Sequence, residues 1–266
     1  MTRVRLRFRK EGDLRFLSHH DLMRLFERLL RRADLPFKSS EGFHPKPLMR
    51  FPSALSLGIV GHEEVIEIDL IGALDAGAVA RALAALVPEG ITILGAKALP
   101  PRTKGQPLFV EYVLPLSPAH LQDLEPRIDV LLMQSEIWIE RGRQRDFGRP
   151  ADEALGEERL DAPLTVSAGK SPPGVEVKRL DLRPYLKQLR QTPTGLEMQF
   201  HVTQSGTARP EEVLRQLGLE RLLQEGEAVL ERTRLVLADE FEPLAVPADA
   251  SACAEPLPMT ALLQKA

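Results

Sequence analysis

Residues 3–9 read RVRLRFR, an unbroken alternation that constrains the fold more than any other stretch of the chain. Val4, Leu6 and Phe8 fall on one side, and Arg3, Arg5, Arg7 and Arg9 on the other. A period of two is that of a half-buried β-strand. One face of the strand must therefore meet a core, while four guanidinium groups must be satisfied on the other.

The remaining elements follow from pattern and punctuation. A helix is expected over His19–Ala33, with Ser18 as N-cap, Asp21 in a capping-box position and Leu17 able to staple onto Leu22. Leu22, Leu25, Phe26, Leu29, Leu30 and Ala33 form its core stripe. His20, Arg24, Glu27, Arg28 and Arg31 lie opposite. Pro36–Ser39 reads as a short strand, residues 50–57 as extended but broken by Pro52, and Glu64–Ile71 as an alternating strand. A helix capped by Asp75 runs to Val87, and Ile91–Lys97 is a further strand. Residues 1–97 thus follow the order β-α-β-β-α-β of a basic ferredoxin-like domain.

Residues 98–107 have the Pro/Gly composition of a linker. Beyond them, strands are expected at 108–116, 136–140, 196–203 and 229–237. Helices are expected at 118–133 (capped by Ser117), 181–190 and 210–217. Residues 142–175 read as an inserted loop and 241–266 as a disordered tail. The fold class is α+β: two tandem ferredoxin-like halves, the second spanning 108–240 with its insertion.

Residues 1–50 hold 13 Lys/Arg against 6 Asp/Glu, whereas the other 216 residues hold 22 against 32. A basic N-terminal face of this kind attracts phosphate or acidic partners. The single cysteine, Cys253, excludes intramolecular disulfides, a multi-cysteine zinc site and a cysteine-ligated iron–sulfur cluster held by this chain. No cofactor or metal is expected. No apolar run approaches the ~20 residues of a membrane span, and MTRVRLRFRK lacks a signal-peptide core, so a cytoplasmic location is expected.

The candidate phosphate- or RNA-binding residues are Arg5, Arg7, Arg24, Arg28, Arg31, His44, Lys46 and Arg50. Arg5 and Arg7 would line an open sheet face beside Glu67 and Asp69, whose two carboxylates leave positive charge over. The bland alternative is a cross-strand ion-pair ladder. His44, Lys46 and Arg50 come from the loop SSEGFHPKPLMR, in which Phe43 is expected to anchor the loop on the core. Ser18-His-His-Asp21 is not a hydrolase triad, because triad members converge from separate segments. His19 is expected to pack and His20 to face solvent. His20 and His44 are the candidates for general acid–base chemistry in an endoribonuclease without metal.

Arg7-Phe-x-Lys10, Ser18-His-x-Asp21, Arg31-Arg-Ala33, Leu35-Pro36 and Ser40-x-Gly-Phe-x-Pro45-x-Pro47 together resemble the radical-SAM-associated (radical-SAM-linked) family. Residues 51–58, Asp181-Leu-Arg-Pro184 and Arg232-Thr-x-Leu235 extend the likeness over roughly 2–240, with His44 where a neutral residue such as asparagine is expected. The resemblance implies an accessory protein acting with a separately encoded radical SAM enzyme, which would itself hold the iron–sulfur cluster. The basic face, independently of the resemblance, makes RNA a further candidate partner, and no membrane is expected. On this reading the chain is not an enzyme on its own. Two alternatives stand beside it: the endoribonuclease, and an adaptor whose basic face meets an acidic protein.

Overall fold

The alternation of residues 3–9 extends by one residue at each end into β1 (Thr2–Lys10). The computed structural model describes residues 1–41, 43, 45–100, 103–144 and 175–240. Residues 145–174, the tail from 241 with Cys253, and His44 lie outside the described residues. The protein is a mixed α+β fold with a core made mostly of sheet. No described helix is long and apolar enough to cross a membrane.

After β1 come α1 (His19–Arg32), β2 (Met49–Arg50), β3 (Val60–Leu70), α2 (Ala76–Ala84) and β4 (Ile91–Leu99). Both helix starts are fixed locally. Ser18 Oγ accepts from the Asp21 amide at 3.1 Å, and Asp75 Oδ2 from the Ala78 amide at 2.8 Å. β1 lies between β3 and β4, antiparallel to each. Val4, Leu6 and Phe8 pack with Ile66, Ile68 and Leu70 against Leu22, Phe26, Leu29 and Leu30 of α1 and Val79 and Leu83 of α2. The expected strand at Pro36–Ser39 is reduced to a bridge from Phe37 to Leu70, and its place on the edge of β3 goes to β2. Pro36 has no amide hydrogen to give to a longer ladder.

The second part runs β5 (Pro107–Pro115), α3 (Pro118–Leu121), α4 (Leu124–Leu132), β6 (Trp138–Gln144), β7 (Val175–Asp181), β8 (Leu186–Thr192), β9 (Gly195–His201), α5 (Pro210–Gln216), α6 (Glu220–Gln224) and β10 (Glu231–Leu237). The helix expected over 118–133 is two, broken where Asp123 turns left-handed at φ 58°. Ser117 spends its hydroxyl on His120 Nδ1 at 2.9 Å rather than on a backbone cap. The helix expected over 181–190 is instead a 3₁₀ turn (Arg183–Tyr185) followed by a strand. Leu186 and Leu189 are three apart, a helical spacing, because a register shift between Leu186 and Gln188 resets which face each residue occupies. The strand expected at 136–140 is β6, but it pairs with β7 in a separate two-stranded sheet. The two ends of the expected 142–175 loop are therefore strand.

All the other strands form one sheet, in the order β4-β1-β3-β10-β5-β9-β8. The edge of β3 away from β1 is shared: β2 occupies it at Glu67 and Ile68, and β10 at Val60 and Gly61. A buried ion pair flanks this seam on each face. Glu64 and Glu67 are three residues apart on β3 and so point to opposite sides. On one side Arg232 of β10 grips Glu64, with Nε 2.8 Å from Oε1, and also donates to Ser53 and Ala54. On the other, Arg5 donates to Glu67 at 2.7 Å and to Asp239 at 2.9 Å.

Candidate functional site

The basic N-terminal sequence separates onto two sides of the sheet. Arg3, Arg5, Arg7 and Arg9 point away from the helices, because Val4, Leu6 and Phe8 point toward them. Around Arg3, Arg5 and Glu67 this face is covered, not open. Residues 103–106 cross it: the Gly105 amide donates to Glu67 Oε1 at 2.8 Å, Arg50 Nη2 donates to the Gly105 carbonyl at 2.7 Å, and Arg3 Nη1 donates to the Thr103 carbonyl. Gly105 fits here because it is a glycine. A Cβ at this position would lie 2.7 Å from Glu67 Oε1 and 2.9 Å from Arg5 Nη2.

The charge of Arg3, Arg5 and Arg7 is also answered from within, whereas Arg9 makes no ion pair among the described residues and its buried Nε has no hydrogen-bond partner. Arg3 is bidentate to Asp69, and Arg7 binds Glu240 and lies 3.4 Å from Glu63. The expected surplus of positive charge leaves out Glu63, Asp239 and Glu240. Arg5 is 1% exposed. Burial lowers its pKa, but hydrogen bonds to Asp239 and Glu67 outweigh this and hold it above the ordinary value. Arg50 joins the same group, 3.5 Å from Glu67 Oε2. Arg5, Arg7 and Arg50 are thus brought together, but around carboxylates of the chain itself.

The other candidates lie on the helix side. His20, Arg24, Arg28 and Arg31 are exposed along α1, and Arg32 continues the row. From Arg24 to Arg32 the row spans about 12 Å at 1.5 Å per residue. Arg24 leans on Asp21 at 3.3 Å and Arg31 on Glu27 at 3.0 Å, both exposed pairs of small energetic weight. Arg28 and Arg32 make no ion pair among the described residues. The Asp21 carboxyl is held below its usual range, first by the Ser18 hydroxyl and then by Arg24. The His19 ring meets Phe51 edge-on at 5.2 Å, and the His20 ring lies 6.2 Å from that of His19.

The cationic row ends at a hairpin. Arg31 stacks over Phe37 at 5.2 Å, and beyond it residues 38–40 pair with residues 46–48 as a stem. Lys38 and Lys46 are exposed on its stem. Phe43 is 103% exposed, so the expected anchor is a displayed ring. Arg32 and Lys38 are not among the residues that sequence reasoning singles out. Arg32 is nonetheless legible, since it continues the i, i+4, i+8 row of Arg24 and Arg28.

The row Arg24, Arg28, Arg31 and Arg32 is an exposed cationic surface. Among the described residues no three His, Cys, Asp or Glu side chains gather as a metal site. No curated protein matches the chain. Residues 3–153, more than half of its length, match the family described as "uncharacterized protein conserved in bacteria" (DUF2344), and the chain belongs to that family.

Proposed function

We propose that this chain is a non-catalytic accessory protein of the cytoplasm, which binds RNA or a phosphate-bearing substrate and positions it for a separate radical SAM enzyme. The partner enzyme is inferred from the resemblance of the N-terminal motifs. The RNA reading rests chiefly on one observation: the row Arg24, Arg28, Arg31 and Arg32 is exposed along α1 and ends at a lysine-bearing hairpin. The same reading takes the two halves as tandem ferredoxin-like units, supported by their strand orders. These are β4-β1-β3 with β2 on the far edge, and β10-β5-β9-β8. Arg5, Arg7 and Arg50 then act as scaffold, and Arg24, Arg28, Arg31 and Lys46 bind the ligand.

The test is fluorescence anisotropy of a labelled structured RNA at several salt concentrations. Replacing Arg28 and Arg32 by alanine leaves the core intact and should flatten the salt dependence by about 0.7–0.9 log units for each phosphate no longer neutralised. Binding no tighter than that of an acidic control protein would sink the RNA reading in favour of the adaptor. Cleavage of the RNA, abolished by His20→Ala, would favour the endoribonuclease.

A further inference from the structure

We infer that Phe43 is a stacking platform for an unpaired base, so that the RNA held by α1 is a loop, bulge or single-stranded end. This inference rests on the RNA reading above and specifies the class of RNA.

The hairpin that carries Phe43 is braced almost to its tip. The Lys38 amide donates to the Asp69 carbonyl at 2.8 Å, and the Leu48 amide to the Lys38 carbonyl at 2.7 Å. Ser39 bridges Pro47. The Ser40 amide donates to the Lys46 carbonyl at 2.8 Å, and the Lys46 amide to Ser40 Oγ at 3.1 Å. Pro45 and Pro47 fix φ on the returning strand, and Pro47 is buried at the base. A stem built this way braces the chain on both sides of Phe43.

What it holds out is the most exposed of the large apolar side chains described. The other phenylalanines nearby are all engaged. Phe8 meets Phe26 at 5.0 Å, Phe51 touches both of them and His19, and Phe37 lies under Arg31. Phe43 is thus an aromatic ring displayed beside cations. Lys38 and Lys46 are exposed on its stem, Arg31 lies over Phe37 at the stem's base, and Arg32 follows it in the chain. Glu41 and Asp34 are the exposed carboxylates nearby in sequence, and Glu27 is taken up by Arg31, so Lys38, Lys46 and Arg32 still outnumber them. A ring for a base and cations for its flanking phosphates is the combination that binds single-stranded nucleic acid. The groove of an A-form duplex offers such a ring no base face, whereas unpaired bases do. An apolar pocket on a protein would take the ring equally well but would not call for the surrounding charge.

The experiment compares the full-length chain with Phe43→Ala and Phe43→Trp on two labelled RNAs: a stem with a loop, and the blunt duplex of the same stem. Wild type should prefer the looped RNA by roughly five- to a hundredfold, the range of one base–aromatic stack. Phe43→Ala should bring that ratio to near one, and Phe43→Trp should keep it. Arg28→Ala with Arg32→Ala should weaken both RNAs while preserving the ratio. Equal binding of the two RNAs by wild type, or a preference that survives Phe43→Ala, overturns the inference and leaves the RNA reading standing. Failure to bind either RNA overturns that reading itself, and a protein captured through Phe43 would then be the occupant.

Discussion

The carboxylate of Asp239 lies 2.9 Å from the guanidinium of Arg5, a residue 234 positions earlier in the chain. The pair joins the first strand of the fold to the residues that follow the last. It also explains why four alternate outward arginines do not make an open basic surface: part of their neutralising charge comes from the opposite end of the described chain. Arg5 and its other carboxylate partner, Glu67, are both buried, so removing one of these two strands the other without water.

Arg5→Ala should therefore be strongly destabilising. Glu67 would be left buried without its main partner, at a cost of about 3–5 kcal/mol. For a chain of this size that corresponds to a fall in Tm on the order of 10 °C. Thermal melts of Arg5→Ala and Arg28→Ala provide the contrast, since the second residue is exposed and should melt with wild type.

Acid should release the Asp239 ion pair. Burial raises the pKa of this carboxyl, but the hydrogen bond and charge of Arg5 outweigh it and hold it below 3.8. A depressed pKa adds stability that is complete above the unfolded value and is lost as pH falls through the folded one. The gap between wild type and Asp239→Asn in urea titrations should begin to narrow as pH falls past about 4, the unfolded carboxyl value, and close only below the lower folded value. A gap of constant size at every pH would refute the pairing.

Lys10 should act in the opposite pH range. It is buried beside Glu64 and Arg232, with Nζ 3.2 Å from the Arg15 carbonyl, and burial brings its pKa down from 10.5 to about 8. Below pH 8 the folded state must keep this ammonium charged in the core, a penalty of roughly 3 kcal/mol at 1.36 kcal/mol per pH unit. Between about 8 and 10.5 the unfolded chain binds more protons than the folded one, so stability should rise with pH relative to Lys10→Met. Chemical denaturation across that window measures the difference, and parallel curves would show that the Lys10 pKa is not lowered by folding.

Arg232 and Glu64 should prove coupled. Arg232→Met alone leaves Glu64 buried without its hydrogen-bonded partner, with only the nearby charge of Lys10, again at up to about 3–5 kcal/mol. Adding Glu64→Leu removes the orphaned charge, so the double variant should be more stable than Arg232→Met by a kcal/mol or more, on the order of buried-pair couplings. A double-mutant cycle from urea denaturation gives the number directly. Strict additivity would mean that the pair does not hold the seam.

Much of the first half is legible in the sequence because its signals are local. The alternation of RVRLRFR, the Ser18 and Asp75 caps and the apolar stripe of α1 each lie within one element, and the structure keeps all of them. The errors arise where one element answers to another. β8 looks helical because the register shift at Leu186 and Gln188 is a property of its pairing with β9. Trp138-Ile-Glu alternates like any strand, but nothing in it says that its partner is β7. For the candidate site, the row on α1 can be read from helical spacing, whereas the fate of Arg5 depends on Glu67, Gly105 and Asp239. Display of Phe43 depends on a braced stem that pairs backbone groups across the hairpin and is invisible in side-chain pattern.

The shared edge of β3 has a consequence for how the protein is made. The ribosome delivers β3 more than a hundred residues before β10, whose pairing at Val60 and Gly61 fills part of that edge. Until β10 emerges, Glu64 has no Arg232, Arg5 has no Asp239, and part of the β3 edge is unpaired. An open strand edge is a template for joining another chain. Nascent chains carrying only the first half are therefore the vulnerable species in the life of this protein, and a translation arrest before Glu231 would release them in their sticky form.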